Sequence, residues 1–140
     1  MMQIVFDVPG DPKGKGRPRF ARRGKFTKVY TDQKTLDYET VIKLCAQNAM
    51  GSAKPIEAPV GVYLYVRLPI PQSYSKKRKE ACLNGSERPM KKPDIDNVAK
   101  AFLDAMNGTV YLDDTQVIEM HVKKLYSEVS GVDVMVMEAT

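Results

Sequence analysis

The sequence has few of the residues that hold transition metals or form disulfides. Its 140 residues include no tryptophan, one histidine and two cysteines. Cys45 and Cys82 stand apart from each other and from His121, so neither a CxxC pair nor a histidine cluster is present to hold zinc. The first residues lack the basic and apolar segments of a signal peptide. We therefore expect no disulfide and a cytoplasmic location.

Long apolar runs are also missing. No run approaches the ~20 residues that a membrane-spanning helix needs. Hydrophobic residues make up 43% of the chain and charged residues 28%, as in ordinary globular proteins, so wholesale disorder is excluded. A chain of this length has room for one core and little more. We predict a single domain over residues 1–140.

Positive charge is concentrated in two segments of an otherwise acidic chain. Residues 11–34 carry nine lysines and arginines against two acids, and residues 76–92 carry seven against two. Such segments bind polyanions, because lysine and arginine displace counterions from phosphates. Charged segments are, however, solvated loops without a partner about as often as they are binding surfaces. Composition alone leaves both readings open. The candidate phosphate contacts in the first segment are Lys13, Lys15, Arg17, Arg19, Arg22 and Arg23.

Apolar periodicity predicts an α+β domain with a mixed sheet and two to three helices. Strands are predicted at residues 2–8, 60–68 and 132–136, with another strand that turns Ile118, Met120 and Val122 inward. Helices are predicted at residues 33–50, 75–83 and 95–106. The glycines and prolines of residues 11–26 exclude a regular helix and favour a mobile loop or a loose hairpin.

Acidic residues gather around the third predicted helix. Asp94 and Asp96 flank Ile95, and an extended chain would place both carboxylates on one side with Ile95 inward. Lys100 follows four residues after Asp96, on the same face once the helix begins. Asp113 and Asp114 come one short helix and a turn later, near enough to return to the first pair.

Several carboxylates that converge repel each other unless a cation compensates. Oxygen ligands suit Mg²⁺, with Mn²⁺ as the alternative, and such a cation can activate water for attack on a phosphodiester. Each feature also has a structural explanation, because aspartates cap helices and Asp-Asp pairs form turns. Spacing alone leaves catalysis and structure about equally favoured.

A specific motif strengthens the catalytic reading. Residues 94–100 have the sequence DIDNVAK, residues 102–107 have FLDAMN, and residues 113–117 have DDTQV. This order and spacing resembles the RusA family of Holliday junction resolvases over roughly residues 91–124. Residues 12–40 are similar to phage-type members, which favours a prophage origin over a host role.

The resemblance implies a homodimeric α+β endodeoxyribonuclease that nicks four-way DNA junctions symmetrically with Mg²⁺, in recombination and repair. Asp94, Asp96 and Asp114 match the metal-binding acids, with Asp113 beside them, and Lys100 matches the essential lysine. Some members carry an arginine directly before the first aspartate. Pro93 stands there in this sequence, so the family pattern breaks at this position, and we expect Lys91 and Lys92 just upstream to contact DNA.

Two other functions fit parts of the sequence. A non-catalytic DNA-binding module would use the acids only to cap and to turn. A metal-dependent phosphohydrolase of small phosphates would need no basic segments, which argues against it. A small-molecule cofactor is not expected, because neither GxGxxG nor GxxxxGK[ST] is completed near Gly14.

Overall fold

The computed structural model describes residues 2–15, 19–23, 26–30 and 33–139, with side chains for residues 2–15 and 37–139. These residues form a mixed four-stranded sheet, a separate two-stranded sheet and three helices, which confirms the predicted α+β class. The elements are β1 (Gln3–Pro9), β2 (Arg19–Arg23), β3 (Phe26–Tyr30), α1 (Gln33–Met50), β4 (Val60–Pro69), α2 (Lys76–Asn84), α3 (Ile95–Met106), a 3-10 turn (Asp114–Gln116), β5 (Val117–Ser127) and β6 (Gly131–Glu138).

The main sheet has the strand order β1-β6-β4-β5. β4 runs antiparallel to β6 and parallel to β5, and β1 runs antiparallel to β6. β4 is a central strand because it pairs with β5 on one edge and with β6 on the other. The alternation of apolar residues along it turns one of its faces into the core. The predicted loop at residues 11–26 contains β2, which pairs antiparallel with β3 as a hairpin.

Helices α1 and α3 cover one face of the sheet. The ring of Tyr38 on α1 meets Phe102 on α3 edge to face, with centroids 5.9 Å apart. Apolar residues at helical spacing turn one side of α3 into the core. The opposite side carries Asp96, Lys100 and Asp104 and faces away from the core, so core packing fixes the orientation of the charged side.

The start of β5 differs from the prediction. Val60 pairs with Val117, but Gly61 pairs with Glu119, so Ile118 is the extra residue of a bulge. Its side chain is 66% exposed and does not point inward. Met120 and Val122 pack against the core as predicted. The prediction extended the alternation of Met120 and Val122 back to Ile118, because a bulge leaves no periodic signal in the sequence.

The second face of the sheet lacks a helical cover within the described residues. Tyr63 stacks on His121 with ring centroids 4.8 Å apart and planes 5° from parallel. His121 also contacts Glu119 at 2.8 Å. His121 is exposed on this face of the sheet.

Both cysteines are free thiols, with Cys82 buried and Cys45 half-buried against the core. Among the described residues, no helix is long and apolar enough to cross a membrane.

Candidate active site

The first acid of the DIDN motif occupies the N-cap of α3. Asp94 has extended backbone angles (φ −70°, ψ 146°), but its side chain makes no capping hydrogen bond. Helix α2 shows the contrast, because Ser75 caps it by accepting a hydrogen bond of 3.2 Å from the backbone N–H of Arg78. Asp94 therefore occupies the capping position of α3, but its side chain does not cap the helix. Its carboxylate has no side-chain partner in the described part of the chain.

Helix α3 begins at Ile95, so the chain between Asp94 and Asp96 is not extended as predicted. Ile95 is already the first residue of α3 and is 46% exposed, so it is not an inward anchor. Asp96 lies in the first turn, where its Oδ1 accepts a hydrogen bond of 3.0 Å from the N–H of Asn97. Both acids still lie at the N-terminal end of α3, whose unpaired N–H groups favour negative charge.

Asp94 borders a cleft of about 640 Å³ between the N-terminus of α3 and the segment of residues 11–15. The backbone N–H of Lys15 donates a hydrogen bond of 2.8 Å to the carbonyl of Asn97. Gly14 lies so close to α3 that a Cβ there would be 2.6 Å from Cβ of Asn97. The cleft is lined by Pro12, Gly14, Lys15, Lys92, Pro93, Asp94 and Asn97. It therefore combines one acid with two lysines.

The charged side of α3 continues along its length. Lys100 Nζ lies 3.8 Å from Asp104 Oδ2, and the Lys100 side chain is 65% exposed. Lys15 Nζ lies 2.6 Å from the same oxygen and 3.1 Å from Glu39 Oε1 on α1. Burial lowers the pKa of Lys15, but its hydrogen bonds to Asp104 and Glu39 prevail and raise it above its usual value. Lys15, predicted as a phosphate contact, is thus engaged in ion pairs.

The sequence did not identify the two partners of Lys15. Asp104 lies on the Asp96–Lys100 face at helical spacing, so its position was visible, but its contact with Lys15 was not. Nothing in the sequence indicated a contact of Glu39 with Lys15, because it reaches Lys15 only through the packing of α1 against α3. Contacts of this kind depend on the tertiary fold.

The turn that returns from α3 distinguishes its two adjacent acids. Asp113 accepts hydrogen bonds from Thr115 Oγ1 at 2.7 Å and Asn107 Nδ2 at 3.2 Å, which hold the pKa of its carboxyl below the usual value. Gln116 Oε1 accepts from the N–H of Asp113, and Gln116 Nε2 donates to the carbonyl of Ile56. This turn is therefore tied to the chain before β4.

Asp114 carries a carboxylate with no side-chain hydrogen bond among the described residues. Its charge reaches Tyr111, whose buried hydroxyl donates a hydrogen bond of 2.7 Å to the carbonyl of Leu103. Burial raises the pKa of Tyr111, and the charges of Asp114 and Asp104 raise it further. Asp114 and Asp104 thus both act electrostatically on the same phenol, and the hydrogen bond from Tyr111 to Leu103 holds the return turn beside the C-terminal half of α3.

The acids are spread along α3 rather than collected at one point. Asp96 and Asp104 are eight residues apart, about 12 Å of helical rise. Within residues 2–15 and 37–139, no three His, Cys, Asp or Glu side chains lie close enough together to hold a metal ion. A common site for Asp94, Asp96 and Asp114 therefore stays a prediction. Their donor chemistry suits a hard divalent cation, because all are carboxylates and two lack side-chain partners.

The remaining candidate phosphate contacts differ in their surroundings. Lys13 is exposed, and Lys92 lines the cleft beside Asp94. Lys91 Nζ lies 5.3 Å from the centroid of the Tyr126 ring. Arg17 lies outside the described residues. The backbone of β2 is described, but the side chains of Arg19, Arg22 and Arg23 lie outside the described part.

Comparison with known proteins places these observations in a family. The model of the family described as endodeoxyribonuclease RusA matches residues 9–137. A protein of Bacillus subtilis (strain 168), named "Uncharacterized protein YqaN", is 37% identical over 139 residues, which covers 98% of this chain and 97% of the relative. The matched region includes every candidate residue from Lys13 to Asp114.

Proposed function

Because the chain belongs to the RusA endodeoxyribonuclease family, we propose that it is a Mg²⁺-dependent endonuclease that resolves four-way DNA junctions by paired symmetrical nicks. Such an activity serves DNA recombination and repair. Residues 94–117 carry the family's acids and lysine in order, which supports a junction as the substrate over small phosphates.

One observation carries the catalytic part of the proposal. Asp94 lies at a helix N-cap without capping the helix, and it borders a cleft that also contains Lys92. An aspartate with only a structural role would be expected to bond to the first turn, as Ser75 does in α2. A free carboxylate beside a lysine is suited to hold a cation next to a DNA phosphate.

We assign the metal ligands to the acids around α3. Asp94, Asp96 and Asp114 would hold Mg²⁺, or Mn²⁺ in its place, and Asp113 would support Asp114 through the hydrogen bonds that fix the turn. The cation, when bound, would activate a water molecule and stabilise negative charge on the phosphate. Asp94 and Asp96 come from the N-terminal end of α3, and Asp114 comes from the turn that Gln116 ties to the chain before β4.

Lys100 is the proposed contact to the scissile phosphate. Its ammonium group is 65% exposed and lies on the helix face shared with Asp96. A point charge on a flexible stem can approach a phosphate oxygen and stabilise the charge that develops there. Lys100 would therefore act on the substrate rather than on the fold.

The basic residues would hold the arms of the junction. Lys92 lines the cleft, and Lys13 and Lys91 are next in sequence to residues that line it. We further assign DNA contacts to Arg19, Arg22 and Arg23 of β2 and to Arg17 just before it. Contacts to phosphates position DNA without reading its sequence. A homodimer would present two equivalent sites to the two-fold symmetric junction, so that opposed strands are cut together.

The test compares a synthetic four-way junction with a linear duplex of the same sequence, each with and without Mg²⁺. We expect paired nicks near the crossover, only on the junction and only with metal. Asp94→Asn should bind the junction but reduce cleavage by more than about 100-fold, since even residues outside the ligand shell contribute 10–100-fold. Glu128→Gln, an exposed acid between β5 and β6, is the matched control.

The possible outcomes separate the alternatives. Junction binding with no metal-dependent cleavage by the wild type would favour the non-catalytic DNA-binding module. Equal cleavage of the linear duplex would retain the nuclease and exclude the preference for junctions. Cleavage by Asp94→Asn at the wild-type rate would remove Asp94 from the site.

A further inference from the structure

Two lysines compete for one carboxylate oxygen on α3. Lys15 Nζ lies 2.6 Å from Asp104 Oδ2, within hydrogen-bond distance, whereas Lys100 Nζ lies 3.8 Å from the same atom. The second distance exceeds the range of an N–H···O hydrogen bond. Asp104 therefore bonds to Lys15 and acts on Lys100 only through space.

Lys15 is fixed in this position by three contacts. Its backbone N–H bonds to the carbonyl of Asn97, and its ammonium group reaches both Asp104 and Glu39. The side chain of Lys15 is 23% exposed, compared with 65% for Lys100. The more buried lysine is thus the held one, and the more exposed lysine is left able to move.

We infer that Lys15 is a positioning residue, which occupies Asp104 and so keeps Lys100 available for the scissile phosphate. Without Lys15, the half-buried Asp104 would take the nearest remaining cation. Among the residues whose side chains are described, that cation is Lys100, four residues earlier on the same helix face, with its Nζ already 3.8 Å from Asp104 Oδ2. Lys100 would then lie along the helix toward Asp104. The inference rests on the role proposed above for Lys100.

A double-mutant cycle tests this coupling. Lys15→Met should lower the single-turnover cleavage rate about three- to tenfold. An exposed ion pair at this helical spacing shifts an equilibrium about twofold, and the partial burial of Asp104 should make the attraction to Lys100 stronger than that. In the Asp104→Asn background, where residue 104 can no longer capture Lys100, the same substitution should change the rate less than twofold. If Lys15 acted as a phosphate contact, the loss would be equal in both backgrounds, and the inference would be overturned.

Two control variants separate positioning from general loss of charge. Lys43→Met removes a lysine from the same groove, which Lys43 lines with Lys15 and Glu39, but leaves the Lys15–Asp104 bond intact. It should cleave at the wild-type rate. Lys15→Arg keeps a cation beside Asp104 and should restore at least half of the wild-type rate. A rate as low as that of Lys15→Met for either variant would overturn the inference.

A measurement without DNA or metal decides the inference independently of activity. The NMR order parameter of Lys100 Nζ should rise in Lys15→Met, because the captured ammonium group moves less, and should return to the wild-type value once Asp104→Asn is added. An unchanged order parameter in Lys15→Met would overturn the inference. If the wild type cleaved no junction, the proposed function would fail, and this signal would still show whether Lys15 controls Lys100.

Discussion

Asn107 Nδ2 donates a hydrogen bond of 3.2 Å to Asp113 Oδ1, which joins the end of α3 to the start of the 3-10 turn. Thr115 Oγ1 donates to the other oxygen of Asp113 at 2.7 Å. Both oxygens of this carboxylate are therefore engaged within the turn. Asp114, the next residue, has no side-chain partner in the described part of the chain. Two adjacent acids thus have different surroundings, which predicts different consequences of their loss.

Removing each acid in turn should separate stability from activity. Asp113→Ala should lower the midpoint of urea unfolding, because Asn107 and Thr115 lose their acceptor. Asp114→Ala should leave that midpoint nearly unchanged but reduce junction cleavage by more than about 100-fold, as expected for a metal ligand. The measurements are urea titration and single-turnover cleavage. If Asp113→Ala abolished cleavage without changing stability, the roles of the two acids would be exchanged.

The contribution of Asp113 should depend on pH in the acidic range. Hydrogen bonds from Thr115 and Asn107 hold the pKa of its carboxyl below the ordinary value of 3.8. Stability from this group is therefore fully present above pH 3.8 and is lost as the pH falls through the lower pKa of the folded state. The difference in unfolding free energy between wild type and Asp113→Ala should be constant from about pH 5 to 7 and should shrink below about pH 3.8. A difference that stays constant down to pH 2 would contradict this assignment.

The sequence predicted the elements of the fold well because their signals are local. The alternation in β4 and the apolar stripe of α3 indicated their bounds, and Gly85 ends α2 in the left-handed conformation that glycine adopts readily. The bulge at Ile118 was missed because it depends on how β5 pairs with β4. A register shift is a property of two strands and is not visible in one.

The candidate site was also predicted only where its residues are close in sequence. Helical spacing placed Lys100 between Asp96 and Asp104, and the structure brings Lys100 to Asp104. The engagement of Lys15 with Glu39 joins residues from two separate segments, so no spacing rule could reveal it. Asp94 and Asp96 lie at the start of α3, whereas Asp114 lies in the turn that follows its end. No local spacing joins these acids, so the common metal site is a prediction that rests on the family motif.

Gly14 should be intolerant of any side chain. A Cβ at this position would lie 2.6 Å from Cβ of Asn97, so Gly14→Ala should push the segment of residues 11–15 away from α3. We expect a loss of about 1–3 kcal/mol of unfolding free energy, as for other overpacked positions, together with weaker junction binding. Gly51→Ala is the control. Its φ of +56° disfavours alanine by about 1–2 kcal/mol, but open space surrounds it. Equal effects of both substitutions on junction binding would show that the Gly14 contact does not shape the cleft.

Lys92 should contribute to DNA affinity mainly through its charge. It lines the cleft beside Asp94, and each phosphate contact that a protein loses reduces the slope of log affinity against log salt by about 0.9. Lys92→Gln should therefore weaken junction binding at low salt and flatten this slope by about one unit. Lys54→Gln removes an exposed lysine between α1 and β4 and should leave the slope unchanged. Identical slopes for wild type and Lys92→Gln would exclude a phosphate contact at Lys92.

Divalent cations should stabilise the protein if the proposed ligands bind them. A cation that binds only the folded state adds about 2.7 kcal/mol to the unfolding free energy at 100 times its dissociation constant. Mg²⁺ or Mn²⁺ should therefore raise the Tm of the wild type in a concentration-dependent manner, measured by calorimetry without DNA. Asp94→Asn and Asp114→Asn should each reduce this rise, because each removes one oxygen ligand, whereas Glu128→Gln should retain it in full. An equal rise in all four proteins would mean that the cation binds elsewhere, and Asp94 and Asp114 would then lose their assignment as metal ligands.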